Sequence, residues 1–120
     1  MDFWLLRDLN VGIIQRIQGK KHVTFDYPIE MVYETCGIML VLLDVPPKQS
    51  MAENIFAVSK EGEILWQIEH SPNTGTDPAN RYTGIGDSSI PGIAVASNWN
   101  GMNFYIDIKS GKIVDTEFTK

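Results

Sequence analysis

Residues 54–68 read Asn54-Ile55-Phe56-Ala57-Val58, then Ser59-Lys60-Glu61-Gly62-Glu63, then Ile64-Leu65-Trp66-Gln67-Ile68. Two apolar runs flank a short polar turn whose glycine is placed for a positive φ. That pattern predicts a β-hairpin. Residues 104–108 (Phe-Tyr-Ile-Asp-Ile), the turn Lys109-Ser110-Gly111 and the return Lys112-Ile113-Val114 repeat it. At an offset of 49 residues Asn54 falls on Asn103, Phe56 on Tyr105, Lys60 on Lys109, Gly62 on Gly111 and Ile64 on Ile113. A strand, a Lys-x-Gly turn and a returning strand is the pattern of a propeller blade's outer hairpin. A closed propeller needs about four blades or more, and 120 residues hold too few. The expected fold is therefore mainly β, a single domain of antiparallel hairpins over residues 1–120. It is an open sheet, half-propeller-like or a small sandwich, with little helix.

The chain before residue 54 reads the same way. Val11 to Gln18, a turn at Gly19-Lys20-Lys21, and His22 to Tyr27 suggest another hairpin, which Pro28 ends. Ile29 to Thr35 and Gly37 to Asp44 follow, with Cys36-Gly37 as a turn or bulge. Ile38-Met39-Leu40-Val41-Leu42-Leu43 has no polar position, so it reads as a strand buried on both faces. Pro46-Pro47-Lys48-Gln49-Ser50 is a stiff connector, and Ser71 to Ser89 a long polar loop with a short strand at Arg81 to Ile85. Only Met1 to Leu9 suits a helix. Trp66 is expected in the core. Asn100-Gly101 predicts a type I′ turn with Trp99 partly exposed just before it, either packing over the hairpin end or serving as a binding hot spot.

Ten Lys and Arg against fifteen Asp and Glu give a net charge of −5. Phosphate-binding surfaces carry the opposite sign, so nucleic acid is an unfavourable partner. An acidic face instead suits a basic protein partner. Neither a secretory signal nor an apolar run long enough to span a bilayer is evident. With a single cysteine, Cys36, this fits a reducing cytoplasm.

The chain shows little of the chemistry an enzyme needs. His22 and Asp26 share one strand face, which permits a dyad, but no nucleophile motif accompanies them. His70 reads as a loop residue. One cysteine and two distant histidines cannot make a zinc site. Asp77, Asn80 and Asp87 lack a calcium-loop spacing and read as turn formers. Cys36 reads as a small buried hydrophobe. Gly84-x-Gly86 lacks the third glycine and the following helix of a phosphate cradle, and reads as a turn or bulge. No catalytic residue, metal or cofactor is expected.

Several C-terminal stretches together carry a resemblance: Pro46-Pro47, Asn54-Ile55-Phe56, Gly62-Glu63-Ile64-Leu65-Trp66-Gln67-Ile68, Tyr82-Thr83-Gly84-Ile85, Trp99-Asn100-Gly101, Tyr105-Ile106-Asp107, Ser110-Gly111-Lys112-Ile113 and Glu117-Phe118-Thr119-Lys120. Over residues 46–120 the chain resembles small bacterial immunity-like proteins that accompany polymorphic and contact-dependent growth-inhibition toxins. The resemblance implies a cytoplasmic protein that binds a cognate toxin, a nuclease among the options, and occludes its active site. The partner-binding residues expected from loop position and charge are Glu61, Glu63, Glu69, Asp77, Asp87 and Trp99. The competing readings are an enzyme using His22 and Asp26, and a non-catalytic hairpin module for carbohydrate or protein, with Trp99 stacking on the ligand.

Overall fold

The computed structural model describes residues 4–7, 13–16, 22–46, 52–69, 81–99 and 101–118. Three antiparallel up-and-down sheets follow one another along the chain. The first holds β1 (Trp4–Arg7), β2 (Ile13–Arg16) and β3 (His22–Thr24). The second holds β4 (Ile29–Thr35), β5 (Ile38–Leu43), β6 (Ile55–Val58) and β7 (Ile64–Gln67). The third holds β8 (Tyr82–Asp87), β9 (Ile93–Asn98), β10 (Met102–Asp107) and β11 (Ile113–Phe118). The described residues contain no helix. The expected N-terminal helix is instead β1, because pairing of Trp4–Arg7 with Ile13–Arg16 satisfies its backbone. The Gly19–Lys21 turn and residues 47–50 of the connector lie outside the described residues.

The sheets stack in chain order, and β5 shows why. Every β5 residue from Met39 to Leu43 is buried. Met39, Val41 and Leu43 face Val23 and Phe25 beside the first sheet. Leu40 and Leu42 face the third sheet, among Ala94, Ala96, Phe104 and Ile106. The uninterrupted apolar run is thus the middle layer of a three-layer stack, where a strand needs no polar side. Each fully buried leucine or isoleucine contributes about 1.5–3 kcal/mol. β8 approaches both β4 and β5, so the sheets converge at one edge, as blades do.

Turn chemistry fixes the hairpins. Cys36 (φ 52°) and Gly37 (φ 74°) form the two-residue turn between β4 and β5, the type I′ signature. That position turns Cys36 outward. The cysteine is exposed, contrary to the expectation of a buried one. Between β9 and β10 the register leaves Trp99, Asn100 and Gly101 as the turn, one residue longer than a type I′ hairpin. Gly101 (φ 90°) closes it, while Asn98 Oδ1 accepts from the Met102 N–H at 3.1 Å. Asn100 itself is outside the described residues. A bulge at Thr83 interrupts the β8–β9 pairing beside Gly84, in line with the bulge expected there.

The two aligned hairpins occupy corresponding places in the second and third sheets, but not in one common alignment. In the β6–β7 hairpin Ser59 N donates to Glu63 O at 2.8 Å, closing a three-residue turn. In the β10–β11 hairpin Asp107 N donates to Lys112 O at 2.9 Å, closing a four-residue turn. The turn glycines and returning strands keep the 49-residue offset. The strands before the turns are offset by one residue less. Phe56 therefore corresponds to Phe104, not Tyr105, and Val58 to Ile106. A one-residue slip moves every side chain to the opposite face, so this difference in offset decides which face of each sheet is which.

A buried amide joins the second and third sheets. Asn54 is fully buried. Its Nδ2 donates to Leu43 O at 2.9 Å and Tyr82 O at 2.8 Å, and its Oδ1 accepts from Tyr82 N at 2.9 Å. The amide acts as a strand segment across the gap. Tyr82 is buried beside it, edge-on to Phe104, and its hydroxyl donates to Glu69 O at 3.0 Å. Burial, then the charges of Glu69 and Glu53, push its phenol well above the ordinary value. Above about pH 10 a tyrosine in the unfolded chain ionises while the buried one keeps its proton. The folded state then holds more protons, so stability is fully present below pH 10 and falls above it, by about 1.4 kcal/mol per pH unit. Urea unfolding between pH 9 and about 11 should show this fall in the parent and a shallower one in Tyr82→Phe. Equal slopes would assign the fall to other groups.

Candidate functional site

In a stack of equivalent sheets, each sheet offers the next the same face. The second sheet's forward face carries Leu40, Leu42, Ile55, Ala57, Trp66 and Ile68, and the third sheet covers it. On the third sheet the corresponding positions are Val95, Ser97, Asn103, Tyr105, Asp115 and Glu117. Backbone pairing places them together: Val95 lies opposite Tyr105, Ser97 opposite Asn103, Tyr105 opposite Asp115 and Asn103 opposite Glu117. Alternation puts them away from Ala94, Ala96, Phe104 and Ile106, which face the second sheet.

The substitutions between the two faces are chemically directed. Leu42 becomes Ser97, Ile55 becomes Asn103, Trp66 becomes Asp115 and Ile68 becomes Glu117. Leu42, Ile55 and Ile68 are buried, while Asp115 and Glu117 are exposed. A sheet that ends a stack needs a polar outer face, and the third sheet has one. It also keeps an aliphatic strip: Ile93 and Val95 on β9, the exposed Val114 in the β11 bulge, and the exposed Ile90 in the β8–β9 loop. Lys112, opposite Asp107 across the β10–β11 hairpin, stands at the turn end of this face, one row beyond Asp115. Tyr105 donates its hydroxyl to Glu117 Oε1 at 3.2 Å. That hydrogen bond, then partial burial, then the charges of Glu117 and Asp115 raise the Tyr105 phenol above its ordinary value.

The residues expected to bind a partner do not gather in one place. Glu61 and Glu63 sit exposed on the β6–β7 turn, where both backbone N–H groups donate to Ser59 Oγ. Asp87 ends β8 on the side facing the second sheet and lines a crevice with Thr35 and Cys36. Its Oδ1 accepts from Ser89 N at 2.9 Å, holding a residue at φ 69°. Glu69 is structural. Its Oε1 accepts from Ile113 N at 2.8 Å, occupying an N–H at the start of edge strand β11. A carboxylate there also discourages strand addition along that edge. Trp99 is 66% exposed, on the turn at the other end of β10 from Gly111. Asp77, His70 and Asn80 lie outside the described residues, as does the His22 side chain. Among the described residues no group of three His, Cys, Asp or Glu could hold a metal ion.

Tyr105, Val114, Asp115 and Glu117 were not singled out by sequence. The signal for the β11 residues was the acidic alternation in Ile113-Val114-Asp115-Thr116-Glu117-Phe118, with the 49-residue offset that sets Asp115 on Trp66 and Glu117 on Ile68.

A family model described as a domain of unknown function, DUF7957, matches residues 14–118. The chain belongs to this family. The match runs from β2 to the end of β11, so the DUF7957 unit includes the second and third sheets and the face just described. No curated protein matches the chain. Among solved structures it is similar to the crystal structure of the computationally designed Ika8 protein, with a TM-score of 0.62 and 13% identity. The likeness covers 92% of this chain and 32% of that one, so the DUF7957 chain matches about a third of that protein's length. At that identity the likeness is one of fold.

Proposed function

We propose that this DUF7957 chain is a binding protein that catalyses no reaction and neutralises a cognate bacterial toxin domain by covering its active site. The observation that carries this reading is the outer face of the third sheet. Four positions that bury a neighbour in the second sheet, three of them apolar aliphatic and one Trp66, are polar or acidic here, around an aliphatic strip. The exposed carboxylates of Asp115 and Glu117 attract a basic partner and speed its encounter. An apolar strip within a polar surround is the usual anatomy of a protein interface. The net charge of −5 points the same way. The resemblance of residues 46–120 to immunity proteins of polymorphic toxin systems supplies the partner's class: a toxin with a basic cleft, such as a nuclease, met in the cytoplasm.

The test is capture from the producing cell with the full chain and with Asp115→Lys/Glu117→Lys. The parent should retain one stoichiometric partner with a basic domain, and that partner should kill cells unless the chain is co-expressed. The double variant should bind at least tenfold more weakly. A captured partner whose toxicity the chain leaves unchanged would overturn the inhibitor reading. Undiminished binding by the double variant would remove this face from the interface. A second reading, a module that recognises carbohydrate, rests on the exposure of Trp99. A Trp99 fluorescence response to glycans, with no toxin captured, would favour it.

A further inference from the structure

The outer face of the third sheet is not flat. A groove of about 320 Å³ runs across it, at the lower end of the range for small-ligand pockets, about 300–1,000 Å³. Ile90, Ile93 and Val114 give its lining an aliphatic part. Ser88 contributes little, since its hydroxyl is spent on Ile90 and Ile93 backbone groups. One wall is Tyr105. Its hydroxyl bond to Glu117 holds the ring across the sheet. The rim carries Asp115 and Glu117. Two residues apart on one strand face, these carboxylates are roughly 7 Å apart along the backbone. Glu117 Oε1 is taken by Tyr105, which leaves Oε2 as an acceptor. Asp115 Oδ1 accepts from Thr116 N at 2.9 Å, which leaves Oδ2.

A ligand for this groove needs an apolar stem several carbons long and a cationic end with several donors. Lysine and arginine both bury their stems and keep their heads polar. They differ at the head. A guanidinium presents five donors in a planar fork, is weakly hydrated and stacks on aromatic rings. It can engage two separated acceptors while lying against a tyrosine. An ammonium is a compact, strongly hydrated point charge. Two carboxylates astride an aromatic wall therefore favour the guanidinium. The raised phenol of Tyr105 is consistent with the negative potential such a group would meet.

We infer that this groove is a socket for one arginine side chain of the partner, with the stem over Ile93 and Val114 and the guanidinium bridging Asp115 and Glu117 against Tyr105. The inference rests on the third sheet's outer face being the partner surface, and it names the group recognised there. An arginine seated this way is the kind of residue that dominates binding at interfaces, and in a toxin with a basic cleft it would come from the cleft itself.

The probe is N-acetyl-L-arginine amide, titrated into the isotope-labelled full chain and followed by NMR. The lysine and norleucine amides serve as controls, the second having a stem and no charge. Saturable shifts are expected at the Val114 and Ile93 methyls and the Tyr105 ring. Arginine should bind at least threefold tighter than lysine, and norleucine should not saturate. Asp115→Asn/Glu117→Gln keeps acceptors for Thr116 N and the Tyr105 hydroxyl, so the fold should survive. It should weaken arginine binding at least tenfold. Shifts that do not saturate, equal responses to arginine and norleucine, or an unchanged affinity in the double variant would each overturn the socket. The capture experiment fails independently of this one. Loss of the partner in Asp115→Lys/Glu117→Lys, with no arginine response in the parent, would keep the face and discard the socket.

Discussion

Replacing Gly111 by alanine is expected to destabilise the protein by about 4 kcal/mol, a sum of left-handed strain, overpacking and a lost hydrogen bond. The glycine sits at φ 78°, and a Cβ there would lie 2.6 Å from Cε3 and 2.7 Å from Cγ of Trp66. The indole of β7 is laid across the β10–β11 turn of the next sheet, and its Nε1 donates to Ile108 O at 2.8 Å. An alanine methyl pushes the ring off the turn and breaks that bond. Two other glycines separate the causes. Gly92 has φ 79° with nothing within 4 Å of its added Cβ, so Gly92→Ala should cost only the strain, about 1–2 kcal/mol. Gly86 has neither positive φ nor a neighbour within 4 Å, so Gly86→Ala should change stability by less than about 0.5 kcal/mol. Denaturant midpoints of the three variants check the order. A Gly111→Ala cost no larger than that of Gly92→Ala would mean that the Trp66 contact carries no weight.

Asn54→Leu is expected to cost about 3–5 kcal/mol, although leucine is close in size and more apolar. The amide partners three buried backbone groups: Leu43 O, Tyr82 O and Tyr82 N. Leaving a buried polar group unmade costs about 1–3 kcal/mol, more than the net worth of the bond itself. Extra apolar burial recovers only about 0.8 kcal/mol per CH₂. Asn54→Asp should also destabilise, because it keeps the acceptor for Tyr82 N but loses both donors and buries a charge. Chemical unfolding measures both. Midpoints within 1 kcal/mol of the parent would show that water or local rearrangement satisfies those groups.

Both predictions concern the seam between the second and third sheets, and neither could be read from the chain alone. The sequence marks Asn54 and Gly111 as members of a repeat and Trp66 as a core residue. It does not show that Asn54 spans two sheets or that Trp66 lies on a turn 45 residues later. Those are contacts between elements distant in sequence, and no local pattern encodes them. The same holds for the candidate site. Glu61 and Glu63 carry charge on an exposed turn, as loop position suggests, and Asp87 at the exposed end of β8, but they belong to separate parts of the surface. Glu69 seemed equally free and instead partners the Ile113 N–H.

The local physics of the chain determined its hairpins. Alternation, glycine turns and the polar-free run from Ile38 to Leu43 are short-range signals, and they fixed a mainly β fold with β5 buried on both sides. Tertiary structure decided which face of each sheet meets a neighbour. The 49-residue repeat aligned the two turns, yet a turn one residue longer before Gly111 shifts the preceding strand and turns its side chains over. Only the stacked sheets reveal that shift, and with it that Asn103 and Tyr105, not Phe104 and Ile106, share the outer face with Asp115 and Glu117. Side-chain direction in a strand depends on the parity of a residue count. Packing reports that parity reliably; composition does not.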